Sequence, residues 1–326
     1  MDEIRPLLDN SPAEGADVPH LNLRPRHQEL IPTPCGPMKP WAELSRAVQL
    51  YFCFTLASMC VLLGLTLASL CGQYDALLEQ DLGVSLIQLV GILFCVYYVV
   101  RGILQENRQE LCAFLLSVVT LVLRSVLNYS LLPHQEEQKK LMVRFVCILC
   151  VGVVHVVCTC LLIGAADRMA FRVGGALESV QERYFLLNLC FSMVTFDMQA
   201  QLCLCILMKS GSEATNLRDS ILIGCALFWS CLTTAVGVVA LLKEARVLVL
   251  VFLLLNIPEV AFFIYLMFTV ISSWPGDSGG PHTLEAASVV GALLSVGIKM
   301  ALLGALGRLD KHFRQGLRAG EPGAAG

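Results

Sequence analysis

Charge is what this sequence has least of. Asp, Glu, Lys and Arg make up 15% of its 326 residues, against 56% hydrophobic ones, and the mean hydropathy is +0.70. Soluble globular domains carry about 25% charged residues, so the deficit excludes a soluble enzyme, a nucleic-acid-binding protein and a secreted disulfide scaffold. A formal net charge of −3 and a pI near 6.1 leave no basic field for nucleic acid or for polybasic membrane docking. Catalytic and metal signatures are scarce as well. Of 6 histidines only His155 lies in an apolar block, which rules out a multi-histidine metal site there. HExxH and the P-loop pattern are absent, as is a filter of the potassium-channel type. Asp197 and Glu259 lack the Tyr-Asp or Gly-x-Gly-Asp setting of intramembrane aspartyl proteases. The expectation is a protein that is not an enzyme and uses neither cofactor nor metal.

What the sequence does have is apolar blocks long enough to cross a bilayer, where a helix needs roughly 20 apolar residues. Eight are read, at about 47–71, 84–105, 111–131, 142–165, 185–208, 219–242, 246–272 and 284–307. The fold class is therefore all-α: a polytopic integral membrane bundle of about eight transmembrane helices. Residues 1–46 are polar, rich in Pro, Asp and Glu, and too poor in apolar surface to fold alone. Residues 308–326 form a short tail, and 166–184 is the longest internal cytosolic connection, dividing the bundle four plus four. No residue-level repeat is evident between the halves. Met1 is followed by no apolar stretch, so no cleavable signal peptide is expected.

Orientation follows from the positive residues, which are retained on the cytosolic side. The two tails and the even-numbered loops carry sixteen Lys and Arg, the odd-numbered loops only Lys139, Lys140, Lys209 and Arg218. Both termini are accordingly expected in the cytosol. The sequon Asn128-Tyr129-Ser130 then falls on the lumenal side, at the end of a span. Of the 15 cysteines most sit inside apolar blocks, where thiols behave as small hydrophobes; Cys35 and Cys112, near a membrane face, are candidates for acylation.

Glu3, followed after three residues by Leu7-Leu8, resembles the acidic dileucine sorting signal read by clathrin adaptor complexes, common in the cytosolic tails of lysosomal and late-endosomal membrane proteins. Two leucines of an extended peptide would fill an apolar pocket while the acid meets a basic patch. The resemblance implies an adaptor partner and a lysosomal or late-endosomal membrane as the address.

Five ionisable residues lie near the middle of spans: Arg124, His155, Asp197, Glu259 and Lys299. A central charge costs roughly 2.5–3.5 kcal/mol on insertion scales, so such groups face the bundle interior and pair. Two acids and two bases can form two ion pairs and leave the imidazole to titrate. Asp197 and Gln201 share a helical face. Asn256-Ile257-Pro258-Glu259 sets a proline beside a carboxylate, which removes a backbone bond and suggests a helix break of the kind that lines transporter sites. Gly297, Ala301 and Gly304 are expected to pack the Lys299 helix closely against a neighbour. Two functions fit. One is a small-solute or proton-coupled transporter, with Asp197 and Glu259 as proton or cation sites, Arg124 and Lys299 as counter-charges or anchors for an anionic substrate, and His155 as a relay. The alternative is a non-catalytic scaffold whose buried charges only fix the bundle.

The address makes a first prediction. Replacing Leu7 and Leu8 together by Ala shifts the steady-state pool from lysosomes to the cell surface, read by surface biotinylation. An unchanged distribution would remove the adaptor partner.

Overall fold

The computed structural model of the chain describes residues 38–75, 79–131, 138–164, 178–211, 217–243, 246–273 and 283–319. Among them are eight long helices and no strand: α1 (Arg46–Asp75), α2 (Glu79–Leu104), α3 (Arg108–Leu131), α4 (Gln138–Gly164), α5 (Glu178–Gly211), α6 (Leu217–Lys243), α7 (Arg246–Ser273) and α8 (Thr283–Ala319). Each overlaps one of the eight apolar blocks. Seven are long and apolar enough to cross a membrane. The exception is α3, which opens with Arg108 and Glu110 and carries Arg124, yet has the length of its neighbours and packs between α2 and α4. Large apolar side chains point outward all round, among them Leu50, Leu161, Phe228, Val247 and Phe268, each at least 70% exposed. A surface of that kind is what lipid tails cover. The fourteen cysteines among the described residues are free thiols.

The helices form two four-helix units. In the first, α1 packs on α2, α2 on α3, α3 on α4, and α4 closes on α1; in the second, α5, α6, α7 and α8 repeat that cyclic order. The units are joined through α5, which lies against α2 and, more lightly, α3. With the helices aligned in this way a repeat in sequence emerges, which corrects the expectation of none. Lys39, Leu44 and Tyr51-Phe52 at the start of the first unit have the spacing of Arg172, Leu177 and Tyr184-Phe185 in the second. Leu104, Glu106, Arg108 and Phe114 around the α2–α3 turn match Leu242, Glu244, Arg246 and Phe252 around the α6–α7 connection. Phe114 and Phe252 are both buried, each near the start of the third helix of its unit.

The α2–α3 turn shows why such residues recur. Helix α2 ends with Glu106 in the left-handed region (φ 48°), while the Glu106 and Asn107 amides bond back to the carbonyls of Ile103 (3.4 Å) and Gly102 (3.0 Å). This is the Schellman pattern of a helix stop. The Asn107 side chain accepts the Gln109 amide at 3.1 Å and so caps α3. The segment before α1 is fastened here too: the Lys39 amide donates to Leu104 O at 2.9 Å, and its ammonium pairs with Glu106.

Beneath the turn lies Arg101. It occupies the last turn of α2, 5% exposed, and its guanidinium meets Glu110 at 2.7 Å, the Tyr97 hydroxyl at 2.9 Å and Gln105 Oε1 at 3.0 Å. Its plane lies 4.1 Å from the centre of the Phe191 ring on α5, so this cluster clamps the two units together. Cutting one partner from a buried ion pair costs about 3–5 kcal/mol, because the other charge is left behind. Arg101→Ala is therefore expected to lower the melting temperature of the detergent-purified protein sharply, and Arg101→Met with Glu110→Leu much less. Equal losses in the two variants would show that the pair is not the clamp.

Candidate functional site

The second unit carries a layer of polar side chains across its axis. Helix periodicity puts Asp197 and Gln201 on one face of α5, and Asn256 and Glu259 on one face of α7, diagonally opposite in the ring of helices. Lys299 enters from α8, which packs against both. All five are buried, with Lys299 1% exposed. The Lys299 ammonium donates to Asp197 Oδ2 at 2.7 Å, to Asn256 Oδ1 at 3.0 Å and to Glu259 Oε2. Gln201 Nε2 bridges the same two carboxylate oxygens, at 2.7 Å from Asp197 and 3.0 Å from Glu259. Asp197 Oδ1 and Glu259 Oε1 are buried and accept no hydrogen bond among the described residues.

Two apolar layers close the centre along the unit's axis. On the side of the α5 amino end and the α8 carboxyl end lies a thick cluster that includes Leu186, Val194, Phe252, Leu302 and Leu306. On the other side the buried cluster among the described residues is Leu204, Phe263 and Ala292, flanked by Met208, Phe262, Met267 and Val296. The Phe263 ring lies 6.0 Å from Lys299 Nζ.

The structure therefore brings together five of the candidates from sequence, Asp197, Gln201, Asn256, Glu259 and Lys299. The charge pattern is not the two separate ion pairs expected, because both acids share one lysine. His155 stands apart on α4 of the first unit. It is fully buried, with Ser58 Oγ 2.8 Å from Nε2 and the Tyr51 hydroxyl 3.4 Å from Nδ1, and the Tyr51, Phe54 and Phe114 rings pack around it. Arg124 belongs to α3, and its side chain lies outside the described ones, as do those of Glu3, Leu7 and Leu8 in the tail.

Two expectations change at this point. Helix α7 runs uninterrupted through Pro258, so there is no break into half-helices. Proline still deprives the Leu254 carbonyl of its usual donor, and side chains serve the carbonyls on either side. Asn256 Nδ2 donates to Phe252 O at 2.7 Å, and Trp229 Nε1 to Leu255 O at 3.0 Å. The stripe of Gly297, Ala301 and Gly304 faces outward, and a Cβ at either glycine would meet nothing within 4 Å. Close approach occurs elsewhere, at Gly102 against Leu111 and at Gly237 against Phe252.

Sequence reasoning missed the Arg101–Glu110 clamp, because both residues stand at the ends of apolar blocks, where charge is ordinary. It also missed the bond from Ser117 Oγ to Gln199 Oε1 across the unit boundary (3.0 Å). Gly276-Asp277-Ser278-Gly279-Gly280 spells the GxSxG nucleophile pattern in the α7–α8 connection, outside the described residues. That elbow needs a strand leading into it, and the element before it is α7. Among the described residues no group of three or more His, Cys, Asp or Glu could hold a metal ion.

With the two units and the polar layer in place, comparison with known proteins adds one match. Residues 35–164 and 174–307 match the family described as a domain of unknown function, DUF7789. The chain belongs to the DUF7789 family. One matched segment falls on each four-helix unit, and the second includes all five residues of the polar layer, so DUF7789 covers the site as well as the fold. No curated protein and no solved structure matches the chain.

The shared lysine makes a prediction of its own. Lys299→Met leaves two carboxylates buried without their common counter-charge, so it should cost on the order of 3–5 kcal/mol and depress the melting temperature. Adding Asp197→Asn and Glu259→Gln to that variant should restore most of the loss. A single Lys299→Met variant that melts like the wild type would show that the acids are already neutral.

Proposed function

We propose that this protein is a proton-coupled small-solute transporter of the lysosomal or late-endosomal membrane, with the polar layer of the second unit as its working site. The observation that carries the reading is the layer's charge. Two carboxylates and one ammonium, all ionised, leave one net negative charge buried between apolar layers. An uncompensated charge in such surroundings is costly, so the site favours binding one proton. A site that gains and loses a proton according to which face it meets is what coupling requires. The apolar layer at Leu204, Phe263 and Ala292 is the gate we assign on one side, and the weakened bonding at Pro258 lies in the same helix as Phe263. Carried cytosolic termini put that gate on the lumenal side. The dileucine resemblance at Glu3, Leu7 and Leu8 supplies the address.

The scaffold reading has one observation in its favour: the ammonium of Lys299 makes three bonds within the bundle, a closed lock. A lock and a transport site respond differently to Asp197→Asn, which removes the net charge but keeps a hydrogen-bonding side chain of the same shape. Metabolite profiling of affinity-purified lysosomes from cells lacking the protein, rescued with wild type or with Asp197→Asn, separates them. The expected result is accumulation of one solute class, corrected by the wild type and not by the variant, with both proteins present in the lysosomes in equal amount. A profile that the variant corrects as well as the wild type would overturn the mechanism and favour the scaffold.

A further inference from the structure

We infer that the solute is a monovalent organic cation bearing a primary ammonium group, and that it exchanges for the proton of the polar layer. The inference rests on the transport reading and names the substrate class of the same site.

The first ground is the coordination of Lys299. A lysine ammonium has three donors and no acceptor, and here all three are taken, by Asp197 Oδ2, Asn256 Oδ1 and Glu259 Oε2. Nothing remains on it to hold an anionic group. The expectation that Lys299 anchors an anionic substrate is thus replaced: an anion brought here would add to an existing negative charge.

The second ground lies in the acceptors that stay unused. Asp197 Oδ1 and Glu259 Oε1 are buried, belong to side chains 6% and 5% exposed, and have no donor among the described residues. Their residues are the same two that already coordinate one ammonium, so the groups suited to a second are in place. The Phe263 ring lies 6.0 Å from Lys299 Nζ, and with Phe262 and Met267 packed against its cluster it offers apolar and aromatic surface suited to the hydrocarbon part and the charge of an amine.

The third ground is the count of charge. Among the described residues the layer lacks one positive charge, and a proton or an ammonium can supply it. Both together would leave the layer with a net positive charge, so each excludes the other. Binding is then the exchange of R–NH3+ for H+: the carboxylic acid O–H breaks, its proton passes to water, and the freed carboxylate accepts the substrate's N–H. No electron is transferred and no other bond changes. Among the described residues the titratable groups facing this exchange are Asp197 and Cys205 on α5, Glu259 on α7 and Lys299 on α8; α6 brings Cys231 beside Cys205, and the hydroxyl of Ser230. The charge count stands on the two acids and the lysine.

The test uses the full chain purified in detergent, in weak buffer with a pH indicator. Butylammonium chloride is expected to release up to one proton per chain, while tetramethylammonium, which lacks N–H donors, sodium and butyrate release none. Asp197→Asn and, independently, Glu259→Gln should each lose the release, with melting curves showing that they fold; Cys205→Ser should retain it. No release by butylammonium from the folded wild type would overturn the inference, as would equal release by sodium, or proton uptake with butyrate. These failures are separable from failure of the transport reading. If the inference fails while lysosomal solutes still depend on Asp197, transport stands with another substrate. If butylammonium releases a proton while the lysosomal profile ignores Asp197→Asn, the ammonium seat stands without transport.

Discussion

Everything in the second unit depends on one lysine answering for two carboxylates. In a bilayer a buried charge has no water to fall back on, so wherever Lys299 goes, Asp197 and Glu259 must follow, and three helices are tied at one depth. The amides complete the arrangement. Gln201 bonds both acids from above one of them on α5, and Asn256 spends its oxygen on Lys299 and its nitrogen on the Phe252 carbonyl of its own helix. Each partner thus constrains two others, and none can move alone without exposing a buried polar atom. A change of state in this unit would have to be a change in the layer as a whole, and a proton is the smallest thing that alters the whole layer's charge.

How much of this could be read from sequence differs by interaction. The helices were legible in number and order, because each apolar block ends in charged or turn-forming residues that cannot continue into lipid, but several run on past their blocks, α5 from Glu178 and α8 to Ala319. Membership of the polar layer was also legible, since a charge in mid-span has few reasons to be there, and four-residue spacing placed Gln201 with Asp197. Pairing was not. Periodicity fixes a residue's face on its own helix and says nothing about which helices are neighbours, so Lys299 could not be given to both acids in advance. The same ignorance misdirected the glycines of α8: a small stripe reads alike whether it faces a helix or lipid. Arg101 was hidden for a different reason. Its apolar neighbours stop only three residues later, so it looks like the edge of a loop, and only the return of α3 shows Glu110 waiting for it.

The repeat was concealed by the solvent. In lipid, Leu, Ile, Val and Phe are nearly interchangeable at outward positions, so two copies of a unit can drift in most of their sequence while keeping their helices. What remains comparable lies where the chain must do something particular. At the α2–α3 turn a helix must stop, a left-handed residue must be held and the next helix must be capped, and that is where Leu104, Glu106, Arg108 and Phe114 find their counterparts. The matched family segments fall on the same division.

Two units of one topology have nevertheless been filled with opposite chemistry. Between the first and fourth helices of unit one stand His155, Ser58, Tyr51 and Thr159, uncharged as a set when the imidazole is neutral, with the hydroxyls meeting one another and the ring. The corresponding interior of unit two holds three ionisable groups. Polar layers of that sort are poor sources of stability, since apolar replacements of buried ion pairs are often neutral or stabilising. An apolar interior would have closed unit two more firmly, as the first unit's dense cluster around Tyr98 and Phe114 closes unit one. On the proposed transport reading the asymmetry is a division of labour: unit one, clamped to α5 by Arg101 and Glu110, would serve as the frame against which unit two changes state around its charge.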